Sequence, residues 1–402
     1  MTEMLRSGSG GVNRGVDDPE RLAHPTNTTP ENQAATFRNL DQIRPHRIIR
    51  RGEAARPLPP HARSLADLGF DVGDVRFSLG DYMARCRVAG LLVLKDGEVA
   101  VEHYGMGSGP ETRWPSFSTA KSLTSTLCGA ALHDGAIGSL DDRCDRYLPR
   151  LRDSAYEGVT VRNLLRMCSG VAWNEQDDGR SGAGALARAL TSRRPGAILD
   201  LLCKLPRAQP QGVVFNYSTG ESCLLGALVA AATRRPLADY CAETIWGPAG
   251  MEADGCWYLE SDGGLETGGF GVMACLRDLG RFGQLMLDDG EAFGGRRVLP
   301  PGWRDLAGQP DSVATTFGRC MPGSPIGYGY QWWVPPHGPT GIHAGAFVAR
   351  GSFGQYIYVH PSAQVVAVVQ SAWRQHDDLE AEAETWALLR ATLLALRPDP
   401  TS

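Results

Sequence analysis

The sequence predicts an α+β fold: an antiparallel sheet flanked by N- and C-terminal helices, plus an all-helical insert domain. Three observations carry this. Residues 90–104, GLLVLKDGEVAVEHY, are two apolar runs around Asp96-Gly97, a pair that favours a tight hairpin. Residues 115–260 read as mostly helical. Residues 353–372, FGQYIYVHPSAQVVAVVQSA, form a second hairpin turning at His360-Pro361-Ser362, and an amphipathic helix, DLEAEAETWALLRATLLALR, follows.

Hairpins make the sheet antiparallel. Two strands alone are marginal, so the first hairpin needs the C-terminal strands beside it. The chain therefore divides into an extended N-terminal arm (1–60), an α/β domain built from 61–114 and 261–402, and a mainly helical domain at 115–260. Within the last, VRNLLRMC (161–168), a segment around 183–205 and ESCLLGALVAAAT (221–233) read as helices. GYGYQWWV (327–334) adds β character. Arg44, Arg47, Arg50 and Arg51 make a basic patch in the arm, read as a solvated face, with a bound anion as the alternative.

Composition narrows the function. The chain has 402 residues, 42% hydrophobic and 21% charged, as in a globular protein of two lobes. Its net charge of −5 is scattered, with no basic stripe to track a phosphate backbone, so nucleic acid is not an expected partner. No stretch approaches the ~18–20 continuous apolar residues of a membrane helix, and the start shows no secretory apolar run. The expected location is the cytoplasm. Ten cysteines without a CxxC pair fit buried thiols better than a disulfide framework or zinc ribbon. His103, His343 and His376 lack metal-ligand spacing, so neither a metal nor an organic cofactor is expected. GSGGVNRG follows no strand and ends without Lys-Ser/Thr, which excludes a phosphate loop.

Three constellations carry chemistry. In Ser118-Thr119-Ala120-Lys121, positions i and i+3 share a helix face, so the amine reaches the hydroxyl. A serine needs a base to attack, and an amine serves once burial or a helix N-terminus lowers its pKa. The following SLTSTLCGAAL is apolar or small all round, which marks a buried helix. S-x-x-K alone also fits a surface lysine on a helix that starts with serine. In Phe215-Asn216-Tyr217-Ser218-Thr219-Gly220-Glu221, Ser218 and Glu221 form an S-x-x-E capping box that leaves Tyr217 just outside a helix. Its hydroxyl could relay protons if nearby positive charge lowers its pKa; a tyrosine packed on its own helix is the simpler alternative. In Arg350-Gly351-Ser352-Phe353-Gly354-Gln355, glycines let a backbone N–H approach a ligand closely, and the N–H groups of Ser118 and Ser352 are candidate oxyanion donors. A plain β-bulge remains open there. The segment around Ser218 lacks the first glycine of a G-x-S-x-G elbow, which argues against an α/β-hydrolase.

S-x-x-K, a later Y-S-T and a glycine strand motif before the last hairpin together resemble the serine β-lactamase and penicillin-binding-protein superfamily, in its class C-like branch of esterases and amidases. TVRNLLRMCSGVAWNE (160–175), GGFGVMACLRDLGRFGQLMLDDGEAFGGRRVLPPGW (268–303) and GYGYQWW (327–333) are similar to segments of that branch, and the likeness spans about residues 70–395. The lead-in PENQAATFRNLDQIRP (30–45) with FGQYIYV resembles the 6-aminohexanoate-dimer hydrolases.

The resemblance implies a Ser118 acyl-enzyme, Lys121 as base, and Tyr217 as proton donor to the leaving group. It implies an oxyanion hole from the Ser118 and Ser352 N–H groups. Substrate would be contacted by Trp173, Asn174, Gly351, Gly354 and Gln355; a core tryptophan is the alternative at 173. Departures exist. Ala349-Arg350-Gly351 replaces K-T-G, so the lysine position holds alanine and Arg350 faces the other way. Thr219 replaces the asparagine of Y-x-N, and His360 is read as a turn residue. The implied activity is hydrolysis of small amides or esters. An acyltransferase, a β-lactamase or a non-catalytic sensor on the same fold are the alternatives. A small molecule is the expected partner; the oligomeric state is not fixed, a homodimer being one candidate.

Overall fold

Asp96-Gly97 does turn a hairpin. In the computed structural model, which describes residues 28–175, 182–309, 326–336 and 341–397, strands β4 (Val88–Lys95) and β5 (Glu98–Tyr104) pair antiparallel across it. Strand β13 (Val365–Ser371) lies against the other edge of β4, with Leu92 opposite Val368. β12 (Gln355–His360), β11 (Phe347–Gly351), β10 (Trp333–Val334) and β9 (Gly327–Tyr328) continue outward. The result is a seven-stranded antiparallel sheet ordered β5-β4-β13-β12-β11-β10-β9.

The central strands are buried on both faces, and their side chains alternate between two cores. Leu92, Leu94, Ile357, Val359, Val366 and Val368 enter the core shared with the helical region. Leu91, Val93, Tyr356, Tyr358, Ala367 and Val369 enter the opposite one. The helix Leu276–Leu287 covers the first face, and the C-terminal helix Leu379–Ala395 covers the second.

The helical region contains α-helices at Ala120–His133, Val161–Leu165, Gly182–Thr191, Ala197–Leu202 and Thr219–Thr233. Helices 120–133 and 219–233 pack on each other. Both are nearly devoid of a polar face, as their composition requires of buried helices.

A small sheet, β1 (His46–Ile49), β7 (Gly255–Tyr258), β8 (Val272–Ala274) and β6 (Trp114–Pro115), in that order, joins distant parts of the chain. β1 comes from the segment expected to be extended. Residues 30–49 are instead a helix (Pro30–Arg38), a helical turn and a strand. Pro30 opens the helix, and the Asn32 side chain accepts from the Thr29 N–H at 3.0 Å. Phe37 and Leu40 are fully buried. An apolar pair this close to the sheet is worth more inside than in solvent, which overrides the polar average of the segment. The basic patch is partly neutralised: Arg47 pairs with buried Glu266, and Arg50 with Asp254 at 2.9 Å. Residues 1–27 of the expected arm, and Cys320, lie outside the described residues. The other nine cysteines are free thiols.

Candidate active site

Strand β6 leads straight into the serine segment, and Ser116 N donates to Val272 O at 2.8 Å. The backbone then turns sharply. Phe117 adopts φ +46°, a left-handed conformation that costs a non-glycine residue about 1–2 kcal/mol. Its ring is held at 5.1 Å from Phe37 and 5.3 Å from Phe353, and the packing enforces the turn. Ser118 follows on a short 3₁₀ turn, Phe117–Thr119, just before the helix Ala120–His133.

Lys121, on the first turn of that helix, is 1% exposed. Its Nζ lies 2.8 Å from Ser118 Oγ and 2.9 Å from the carbonyl oxygen of Gly269. The rest of the helix is fixed by similar bonds. Thr124 Oγ1 donates to Gly268 O (2.6 Å), Ser122 Oγ to Gln331 O (2.7 Å) and Ser125 Oγ to Tyr330 O (2.6 Å). Buried hydroxyls so satisfied lock the helix against rotation.

Tyr217 precedes the helix Thr219–Thr233. The ring centroid is 5.0 Å from Lys121 Nζ, which places the phenol beside the Ser118–Lys121 pair. The ring stacks on Trp333 at 5.2 Å and meets Tyr328 edge-on at 6.0 Å; Phe215 closes the wall against Tyr328. Burial pushes the phenol above its ordinary value near 10, against the opposing pull of Lys121. The expected lowering by positive charge is thus corrected: desolvation outweighs the pull of Lys121.

The capping box forms only halfway. Ser218 Oγ accepts from Glu221 N at 3.1 Å, but the Glu221 carboxylate does not return to the cap. It turns inward to Ser169 Oγ, 2% exposed, and burial pushes its pKa up to about 8. Ser218 N faces Met167 Sδ instead.

The turn between β11 and β12 lies against the serine. A Cβ on Gly351 would come within 2.7 Å of Ser116 O and 3.1 Å of Ser118 N, so only glycine allows this approach. Gly354 and Gln355, expected to meet substrate, serve the turn itself. Gly354 (φ +84°) faces the Trp373 ring, which a Cβ would meet at 2.3 Å. Gln355 is 2% exposed, and its amide nitrogen reaches Ser352 O, Phe353 O and Ser371 O. Ala349 is buried towards the helical core, whereas Arg350 faces the C-terminal helix and pairs with Glu382 at 2.5 Å, as strand alternation requires. His360 is buried in its turn region, bonded to Ile342 O at 2.9 Å.

Trp173 is half-buried against Gly182 and Gly220, and its indole N–H donates to Glu175 at 2.5 Å. Its carbonyl accepts from Asn216 at 3.0 Å, which ties it to the Tyr217 segment. Asn174 is exposed, and its carbonyl accepts from Ala183 N. Glu175 was not singled out from the sequence. It accepts from Thr219 N at 2.9 Å and from Thr219 Oγ1, so it sits at the positive end of the helix that follows Tyr217. Tyr328, Trp333 and the Gly269 carbonyl were missed as well. The aromatic density of GYGYQWW is the signal that could have found the first two.

The Beta-lactamase family model matches residues 78–392. The chain belongs to the β-lactamase family. It is a serine hydrolase of that family, with the family's mixed helical and antiparallel-sheet fold. It is 30% identical over 356 residues to the 6-aminohexanoate-dimer hydrolase of Paenarthrobacter ureafaciens, covering 87% of each chain. A solved structure from Bacillus anthracis, provisionally named a 6-aminohexanoate-dimer hydrolase, superposes with a TM-score of 0.79 at 23% identity, over 91% of this chain and 95% of that one. EstCE1, described as a hydrolase with promiscuous acyltransferase activity, superposes at 0.59 with 16% identity, over 79% and 96%. Among the described residues no helix is long and apolar enough to cross a membrane.

Proposed function

We propose that this family member hydrolyses small linear amides or esters through an acyl-enzyme on Ser118, with Lys121 as base and Tyr217 as proton donor. The observation that carries the reading is the 2.8 Å contact of Lys121 Nζ with Ser118 Oγ, with the Tyr217 ring 5.0 Å from the same amine. Ser118 Oγ attacks the substrate carbonyl carbon and its proton passes to the Lys121–Tyr217 pair. The oxyanion is received by the Ser118 and Ser352 N–H groups. The C–N or C–O bond breaks as Tyr217 protonates the leaving amine or alcohol. Water then takes the same path in reverse and frees the acid.

The upward push of burial on the Tyr217 phenol supports its role as acid. The aromatic wall of Phe215, Tyr217, Tyr328 and Trp333 supports an unbranched, partly apolar substrate, and the likeness to a 6-aminohexanoate-dimer hydrolase makes an ω-amino acid dimer the first to try. With Ala349 at the lysine position and Arg350 engaged by Glu382, β-lactams should be poor substrates.

A fluorophosphonate probe with peptide mapping tests the assignment. Labelling is expected at Ser118, lost in Lys121→Ala and slowed roughly 100-fold in Tyr217→Phe. Label on another residue, or labelling indifferent to Lys121, would overturn it.

A further inference from the structure

The turn that carries Ser352 is held from outside by a side-chain chain the reaction scheme leaves unused. Ser352 Oγ lies 2.6 Å from His376 Nε2, and His376 Nδ1 lies 2.9 Å from the Asp377 carboxylate. The Phe353 N–H donates to the His376 carbonyl at 3.0 Å, and the Phe353 ring meets the imidazole edge-on at 5.6 Å. Trp373 N closes the same connection on Phe353 O at 3.2 Å. Residues 373–377 therefore grip Ser352 and Phe353 by backbone and side chain at once, while Gln355 ties their carbonyls from inside.

We infer that His376 is a positioning residue for the oxyanion hole: through Ser352 Oγ it fixes the direction of the Ser352 N–H. The inference rests on the Ser118 acyl-enzyme reading. Phe353 explains why such a brace is needed. Its backbone is left-handed (φ +60°), and a non-glycine residue there relaxes unless its neighbours hold it. Ser352 precedes it, so relaxation at Phe353 rotates the peptide groups next to the donor. An oxyanion donor acts only when aimed before charge develops. In the tautomer that gives Nδ1–H to Asp377, Nε2 is an acceptor, and the Ser352 hydroxyl donates to it. The serine side chain is thus committed to the brace, on a turn whose preceding residue, Gly351, lies close against the Ser118 turn.

The test compares His376→Ala, His376→Gln, Ser352→Ala and the His376→Ala/Ser352→Ala pair. The readouts are the fluorophosphonate labelling rate at Ser118 and the kinetics of p-nitrophenyl ester cleavage. Each single loss should slow labelling ~10-fold, less than deleting an oxyanion donor outright. The fall should be in kcat with KM unchanged. The double variant should be no slower than either single, and Gln should restore part of the rate. Ser352→Ala removes one hydroxyl and keeps the backbone N–H, so it carries the test if His376→Ala does not fold. Singles within about twofold of wild type, multiplicative losses in the pair, or an effect confined to KM would overturn the inference. Failure of the underlying reading looks different: wild type itself would not label at Ser118.

Discussion

Phe117 and Gly351 show how little a side-chain list says about this site. Neither has a reactive group, yet one aims Ser118 by its left-handed backbone and the other lets β11 touch the serine turn. Gly351→Ala would put a methyl 2.7 Å from Ser116 O, closer than real Cβ contacts come, so either the serine turn or the strand end must move. A shift of a few tenths of an ångström is enough to misalign reacting atoms. The expected result is a loss of at least ~100-fold in Ser118 labelling with a stability cost of about 1–3 kcal/mol, read by urea denaturation. Unchanged labelling would show that the strand end is not needed for the chemistry.

Elements far apart in the chain meet around that turn. The N-terminal helix Pro30–Arg38 places Phe37 at 5.1 Å from Phe117, 5.5 Å from Phe353 and 5.6 Å from Trp114. One ring thus braces both the Ser118 turn and the Ser352 turn. Phe37→Ala should destabilise the protein by about 3–5 kcal/mol and slow Ser118 labelling, since the cavity sits between the two turns. If stability falls while labelling of the folded protein keeps its rate, the helix is a structural cover only. The same helix was hidden in the sequence. Its polar, proline-led composition reads as extended chain, and its burial depends on partners at 114, 117 and 353.

For the whole molecule, the informative quantity is stability against pH. Glu221 lies in the core of the helical region with its pKa raised from 4.5 to about 8 by burial, only partly offset by Ser169. The folded state then holds a proton that the unfolded chain has released, so this contribution is present at low pH and is lost as pH climbs from about 4.5 through 8. Glu221→Gln keeps the hydrogen bond and removes the titration. The decline in urea stability between pH 6 and pH 9 should be smaller in the variant by roughly 2 kcal/mol. Parallel declines in the two proteins would mean that Glu221 does not carry the proton.

By itself the sequence determined what rests on periodicity and short spacing: the two hairpins, the buried helices, and the i, i+3 pair of Ser118 and Lys121. Those features are local, and local preference and the burial of an apolar stripe decide them. It also named Tyr217, because the residues after it start a helix. Only the tertiary structure decided that Phe37 lies inside, that Glu221 leaves its cap, that Gln355 serves the turn, that Trp333 stacks on Tyr217, that Glu175 caps the helix after Tyr217, and that His376 holds Ser352. Most of these are contacts between segments remote in the chain, where burial and close packing outweigh local propensity, and no spacing in the sequence encodes them.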